Sequence, residues 1–392
     1  MNKDLKFETH CVRTQTARSS HKEHSVPIFE TSSFIFNTAE EARAVFAEET
    51  EGNIYSRFSN PNTDEFIQKL CSLEGAEDGI ATSSGMAAVF LAMTALLRPG
   101  DHLLSGRQIF GTTHLLFTQV LSRWGISHTY VDMRNEKEWK DNLLPMTRMI
   151  FTETPSNPGL ELADLNRLGK FAARNNLYLV IDNCFATPYL QNPLRYGADL
   201  VIHSATKFLD GQGRTVSGAV LGSKELMKEI RMLSKITGPT MSPFTGWILS
   251  KSLETLTVRM ERHCQNAFRL ARYLEKHREV KWVMYPFLPS HPQYRLAKRQ
   301  MKLGGGLVSF ELKGGAKRAR KFIDSLQLLS ITSNLGDTRT SVTNPATTTH
   351  SKLTAAERKE SGISDGMIRV SVGLEHIDDI QADFEQAILR SK

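Results

Sequence analysis

Two uninterrupted apolar runs, Leu177-Tyr-Leu-Val-Ile-Asp182 and Asp199-Leu-Val-Ile-His203, constrain this chain more than any other feature. A strand with one face in water alternates apolar and polar residues, whereas an unbroken run suits a parallel strand covered by helices on both faces. From about Asn60 to Gly222 helical and short apolar segments alternate. Helices are expected over 63–73 and 85–97, the second closed by Arg98-Pro99-Gly100, and strands over 101–105 and 149–153. Such alternation implies an open α/β sheet with right-handed crossovers. Beyond Gly222 come helical stretches at 224–235 and 243–276, the latter long enough to bridge two domains. Strands at 307–312 and 367–372 and a helix at 316–326 then fit a smaller α+β domain. The expected organisation is an extended polar arm over 1–59, a large doubly wound, mostly parallel α/β domain over 60–245, and a C-terminal α+β domain over 246–392 that includes the bridging helix.

Composition removes whole classes. A chain of 392 residues suits two to three domains at about 150 residues each, and it can bury a large core without staples. With 40% hydrophobic and 23% charged residues, disorder, collagen and coiled coil are excluded. Cys11, Cys71, Cys184 and Cys264 lie far apart with no C-x-x-C spacing. That argues against a zinc ribbon or a disulfide framework and for a reducing compartment. No apolar run approaches the roughly 18 residues that span a bilayer, and Met1 to Ser25 lacks the apolar stretch of a secretory leader. A cytoplasmic protein without membrane contact is expected. The twelve histidines form no H-E-x-x-H, so no metal centre is expected. A net charge of +7 and the run Lys317-Arg318-Ala319-Arg320-Lys321 leave a non-catalytic nucleic-acid-binding protein as the reading from another class. No aromatic-rich basic motif accompanies the charge, so the run reads as the solvated face of an amphipathic helix.

The chemistry gathers where the two apolar runs end. One closes in Asp182; the other runs on as Ser204-Ala205-Thr206-Lys207. In open α/β sheets ligands bind outside the carboxyl ends of the strands, so an acid and an amine reach one crevice. A lysine flanked by two hydroxyls there is a candidate Schiff-base nucleophile. Ser83-Ser84-Gly85-Met86 precedes a long helix, where free N–H groups and the helix dipole favour a phosphate. An ordinary N-cap would look the same. A phosphorylated cofactor needing an amine and a carboxylate is pyridoxal 5′-phosphate: the carboxylate keeps its ring nitrogen protonated, and the ring becomes an electron sink.

The segments Tyr55-Ser-Arg57 with Asn60-Pro61, Ser84-Gly-Met-Ala87, Glu153-Thr-Pro-Ser-Asn-Pro158, Asp182-Asn183, Ser204-Ala-Thr-Lys207 and Arg369-Val-Ser-Val-Gly373 together resemble the Cys/Met-metabolism PLP-dependent enzymes, the trans-sulfuration family of fold type I. Motif order and spacing match across nearly the whole chain. The resemblance implies an aspartate-aminotransferase-like fold with Lys207 as the cofactor-binding lysine, Asp182 as the partner of the ring nitrogen and Asn157 on the phenolic oxygen. It implies a phosphate cup of Gly85, Met86, Ser204 and Thr206, and Arg369 on the substrate α-carboxylate, with Asn334 beside the substrate. Tyr55 and Arg57 match residues that reach a neighbouring subunit's site, so at least a dimer is implied, usually a tetramer.

Two departures bear on the reaction. The family usually stacks a tyrosine on the cofactor ring; here Phe110-Gly-Thr-Thr113 keeps the stacking and loses the phenol, leaving Tyr55 or Lys207 to move protons. The family's Ser-Leu-Gly is Asn334-Leu-Gly336 here. Both variants, with Lys207-Phe-Leu-Asp-Gly-Gln-Gly-Arg214, resemble the sulfhydrylase branch that replaces the γ-succinyloxy group of O-succinylhomoserine with sulfide, giving homocysteine and succinate in methionine biosynthesis. O-acetylhomoserine sulfhydrylase, cystathionine γ-synthase and γ-lyase stay open as reactions on the same scaffold. The methionine γ-lyases place a cysteine where this chain has Thr112.

Overall fold

A computed structural model describes residues 5–392. Seven strands form the large sheet: β1 (Asp78–Thr82), β2 (His102–Gly106), β3 (Ser127–Val131), β4 (Thr147–Glu153), β5 (Tyr178–Asp182), β6 (Leu200–His203) and β7 (Gly218–Gly222). Their order is β1-β7-β6-β5-β4-β2-β3. The four pairings from β3 to β6 are parallel, while β7 runs antiparallel to both β6 and β1. Both faces are covered, which is why β5 and β6 read as unbroken apolar runs. Val180, Leu200 and Ile202 pack against Ala88, Leu91 and Ala92 of the helix Gly85–Leu96 on one side. On the other, Leu179 and Ile181 meet Leu165 and Leu168 of the helix Leu165–Arg174.

The second sheet, order β10-β11-β12-β9-β8, is built from β8 (Val280–Met284), β9 (Leu307–Leu312), β10 (Ser330–Ile331), β11 (Ser341–Thr343) and β12 (Met367–Ser371). Its core joins Val308, Phe310 and Leu312 to Phe322 of the helix Gly315–Asp324 and to Phe384 of the helix Ile377–Arg390.

Two expectations need correction. The stretch 243–276 is not one helix: Pro243–Leu253 and Leu256–Lys276 are separate helices. At the break Arg259 Nη2 donates to Ser252 O and Arg259 Nε to Thr255 Oγ1, so Arg259 takes up a carbonyl at the end of the first helix. The arm is also not simply extended. Phe7–Arg13 is a helix docked on its own chain, with Cys11 buried, Phe7 5.4 Å from the Tyr189 ring and Thr16 hydrogen-bonded to Glu65. A second short helix spans Ala39–Phe46. No helix among the described residues is long and apolar enough to cross a membrane.

Candidate active site

Register decides what meets at the carboxyl end of the large sheet. Glu153 at the end of β4 pairs with Asp182 at the end of β5, and Asp182 pairs with Ile202 of β6. From β6 the chain turns through Ser204 to Lys207, whose N–H donates to Ser204 O at 3.2 Å. Gly336, at φ +78°, lies so close to this turn that a Cβ there would sit 2.6 Å from Phe208 N. A cavity of about 230 Å³ opens above these strand ends. Nine of the residues singled out from sequence line it: Lys207, Asp182, Asn157, Gly85, Met86, Phe110, Ser204, Thr206 and Arg369. Asn334 reaches its edge, where its Oδ1 accepts a hydrogen bond from Lys207 Nζ.

Tyr55 and Arg57 are not brought there. Tyr55 is 41% exposed, and Arg57 donates to Lys235 O and lies over the Phe58 ring at 4.7 Å. Thr112 is exposed too and lines an outer groove with Phe90 and Pro239.

Charge is distributed unevenly in the cavity. Burial pulls the Lys207 amine below its ordinary value, and the charge of Arg369 acts in the same direction. Asp182 is pushed up by burial, opposed by the Cys184 N–H that donates to its Oδ1 at 2.9 Å. Glu153, which opens one of the quoted motifs but is given no role from sequence, is pushed well above its ordinary value by burial and by the neighbouring Asp182 charge. Its Oε1 accepts the Phe110 N–H at 2.6 Å and so fixes the backbone that carries the aromatic ring. Its position as the last residue of β4 was the available signal. Cys184 is a small buried wall residue whose thiol donates to Ser204 O and is raised by burial.

Arg369 enters from β12 of the second sheet. Its Nη1 donates to Asn157 Oδ1 at 2.9 Å and its Nη2 to Ser333 O at 2.8 Å, while its buried Nε has no partner among the described residues. Ser84 caps the helix Gly85–Leu96 by accepting the Ala87 N–H. Such a cap leaves other N–H groups of the first turn without an intrahelical partner. A Cβ on Gly85 would lie 2.6 Å from Ser204 Cβ, so the two backbones approach as only glycine allows.

The whole length carries the sequence pattern that goes with this geometry: residues 8–389 match the family model described as Cys/Met metabolism PLP-dependent enzyme. The chain belongs to that family. It is 45% identical to the O-succinylhomoserine sulfhydrylase of Pseudomonas aeruginosa, over 97% of this chain and 95% of that protein. It is also 43% identical to the L-methionine gamma-lyase of Pseudomonas putida, over 93% and 92%. Among solved structures, one from Campylobacter jejuni assigned as an O-acetylhomoserine (thiol)-lyase superimposes with a TM-score of 0.94 at 33% identity, covering 98% of this chain and 100% of that one. That structure contains N′-pyridoxyl-lysine-5′-monophosphate. The architecture is that of PLP-dependent fold type I enzymes, with a large central sheet and a smaller second sheet.

The residues present suit pyridoxal 5′-phosphate. One end of the cavity offers a helix N-terminus and the Ser204 hydroxyl, which makes no other hydrogen bond among the described residues; both favour an anion. The Thr206 hydroxyl is already engaged with the Ser217 backbone. Asp182 supplies a half-buried acid for a ring nitrogen, Lys207 an amine for an aldehyde, and Phe110 an aromatic face. Arg369 Nε adds a buried donor that a substrate carboxylate would satisfy.

Proposed function

We propose that this family member catalyses γ-replacement on O-succinylhomoserine by sulfide, giving homocysteine and succinate. Phe110 is the observation that carries the reading. Succinate leaves as a carboxylate, whose conjugate acid has a pKa of about 4.3, so it departs without a proton donor. A thiolate, conjugate to an acid near 8.5, is a poorer leaving group and benefits from a general acid. In this cavity Phe110 occupies the wall where the resemblance places a tyrosine, and a phenyl ring has no proton to give. The similarity to the Pseudomonas aeruginosa sulfhydrylase supports the same reaction; the nearly equal similarity to methionine gamma-lyases favours γ-elimination as the second reading.

The cofactor, when bound, supplies an electron sink that stabilises negative charge at the substrate α-carbon. Around it this chain's residues have separable tasks. Lys207 and Asp182 would hold the cofactor at its aldehyde and its ring nitrogen. Asn157 would serve the phenolic oxygen, and Gly85, Met86 and Ser204 would cradle the phosphate, with Thr206 lining the same end while its hydroxyl stays bonded to the Ser217 backbone. Arg369 holds the substrate carboxylate, and with it the orientation of the α-hydrogen. Lys207 Nζ, held by Asn334 Oδ1 and lowered by burial, takes that proton and later returns one. Glu153 keeps Phe110 in place through its backbone N–H.

Tyr55 and Arg57, facing outward, are assigned to the site of a second copy, with the segment around them as the exchanged arm. Exposed Ile35 and Val216 support such coverage, since Val216 lines the cavity and is 69% exposed. The assembly proposed is a homotetramer built from such dimers. A cytoplasmic setting is supported by the four cysteines, all free and buried.

The test supplies O-succinylhomoserine with sulfide in one tube, with cysteine in a second, and methionine alone in a third. Homocysteine and succinate in the first tube, with little cystathionine in the second, are expected. Cystathionine as main product moves the chain to the synthases, and 2-oxobutyrate from methionine at a comparable rate establishes the lyase reading.

A further inference from the structure

A second polar cluster lies sealed against the strand ends that carry Asp182 and lead to Lys207. Its centre is Glu74, the last residue of the helix Pro61–Glu74 and fully buried. Glu74 Oε1 accepts from Asn183 Nδ2 at 2.8 Å and from His203 Nε2 at 2.7 Å, and Oε2 from Asn192 Nδ2 at 3.2 Å. The first two donors belong to the residue after Asp182 and to the last residue of β6, four before Lys207. One carboxyl group therefore bridges the ends of β5 and β6. The end of β4 is tied in through Gln191, whose Nε2 donates both to Asn183 Oδ1 at 3.1 Å and to Thr154 O at 2.9 Å.

Stability is a poor explanation for this cluster. A buried ion pair or carboxyl network can often be replaced by apolar side chains at no loss, because desolvation offsets the attraction. Among the described residues His203 Nδ1 has no partner, so the ring's only hydrogen bond there is the one to Glu74. What such a network does provide is a fixed arrangement of the groups it joins.

We propose that Glu74 is a positioning residue that sets the spacing between Asp182 and Lys207, and through it the fit of the cofactor between them. This rests on the assignment of those two residues to the cofactor.

The experiment uses the holoenzyme. Glu74→Gln keeps the size of the side chain but turns an amide N–H₂ towards donors. The expected result, well below the melting temperature, is at least tenfold faster loss of cofactor on dilution into cofactor-free buffer, with a shifted or broadened visible band. Asn192→Ala removes a hydrogen bond to the same carboxyl group at a residue that does not line the cavity. It is expected to lower the melting temperature while leaving release rate and band unchanged. Wild-type release and spectrum in Glu74→Gln overturn the proposal, as do equal changes in Asn192→Ala. Should Glu74→Gln not fold, His203→Gln keeps an N–H for Glu74 while His203→Leu fills the space without one. Faster release in the leucine variant alone supports the proposal; identical release in both overturns it. Lys207→Ala is run alongside: if it retains the lysine-linked band, the assignment of Lys207 has failed, independently of Glu74.

Discussion

Replacing Arg369 by alanine tests how the two sheets cooperate, because the large sheet supplies the amine and the small one the guanidinium. Arg369 is 2% exposed and burial lowers it to about 10, still a cation at neutral pH. Nη1 and Nη2 each already serve a protein oxygen, Asn157 Oδ1 and Ser333 O. The unpartnered Nε and a remaining Nη hydrogen are left for a substrate carboxylate. Hydrogen bonds to a charged group contribute about 1.5–3 kcal/mol each, so losing two removes about 3–6 kcal/mol. At about 1.4 kcal/mol per tenfold change, kcat/KM for O-succinylhomoserine should fall by roughly 10² to 10⁴. Arg369→Lys keeps the charge without the planar fork and should fall between the two. The assay is steady-state succinate release, with the cofactor band recorded on the same samples, because Asn157, bonded to Arg369, also lines the cavity proposed for the cofactor. A band retained with kcat/KM reduced less than fivefold would refute Arg369 as the carboxylate holder.

Phe110→Tyr restores a phenol to the cavity wall and should raise 2-oxobutyrate formation from methionine by about 10²-fold, at the low end of general acid catalysis, while sulfhydrylation changes little. An unchanged methionine rate, with cofactor still bound, removes the leaving-group argument. For the cofactor-free protein, burial raises the Asp182 carboxyl above its ordinary 3.8, so the folded state binds this proton more tightly than the unfolded one. Its contribution to stability is full below the ordinary value and is lost as pH rises through the raised one. Asp182→Asn should therefore flatten the decline of melting temperature between acid and neutral pH, and parallel curves for the two proteins would contradict it.

Much of this site is legible in the sequence because backbone periodicity and chemistry coincide there. Asp182 closes one unbroken apolar run and Lys207 lies four residues past the end of the other, and an unbroken run locates a covered parallel strand and its carboxyl end in one step. Arg369 was reached through the family resemblance, and β12 places it. Other features leave weaker traces. The interior antiparallel strand β7, Gly218-Ala-Val-Leu-Gly222, is short and glycine-flanked, so its apolar content does not announce a strand beside β6. The break before Leu256 is made by Arg259, whose guanidinium also reaches Phe208 O and Leu209 O just past Lys207; no proline or glycine marks it.

The sequence assigns no role to Glu74 or Glu153, for a shared reason. A glutamate near the end of a helix or strand normally reads as solvated, and only the three-dimensional packing reveals which ones are enclosed. Glu153 is enclosed because β4 ends level with β5, and Glu74 because the helix Pro61–Glu74 stops against the turns that follow β5 and β6. In both cases the buried acid meets backbone or side-chain donors from segments far away in the chain. Local pattern therefore finds residues that line the cavity, whereas the enclosed acids that bond the segments around it are visible only once the strands are paired.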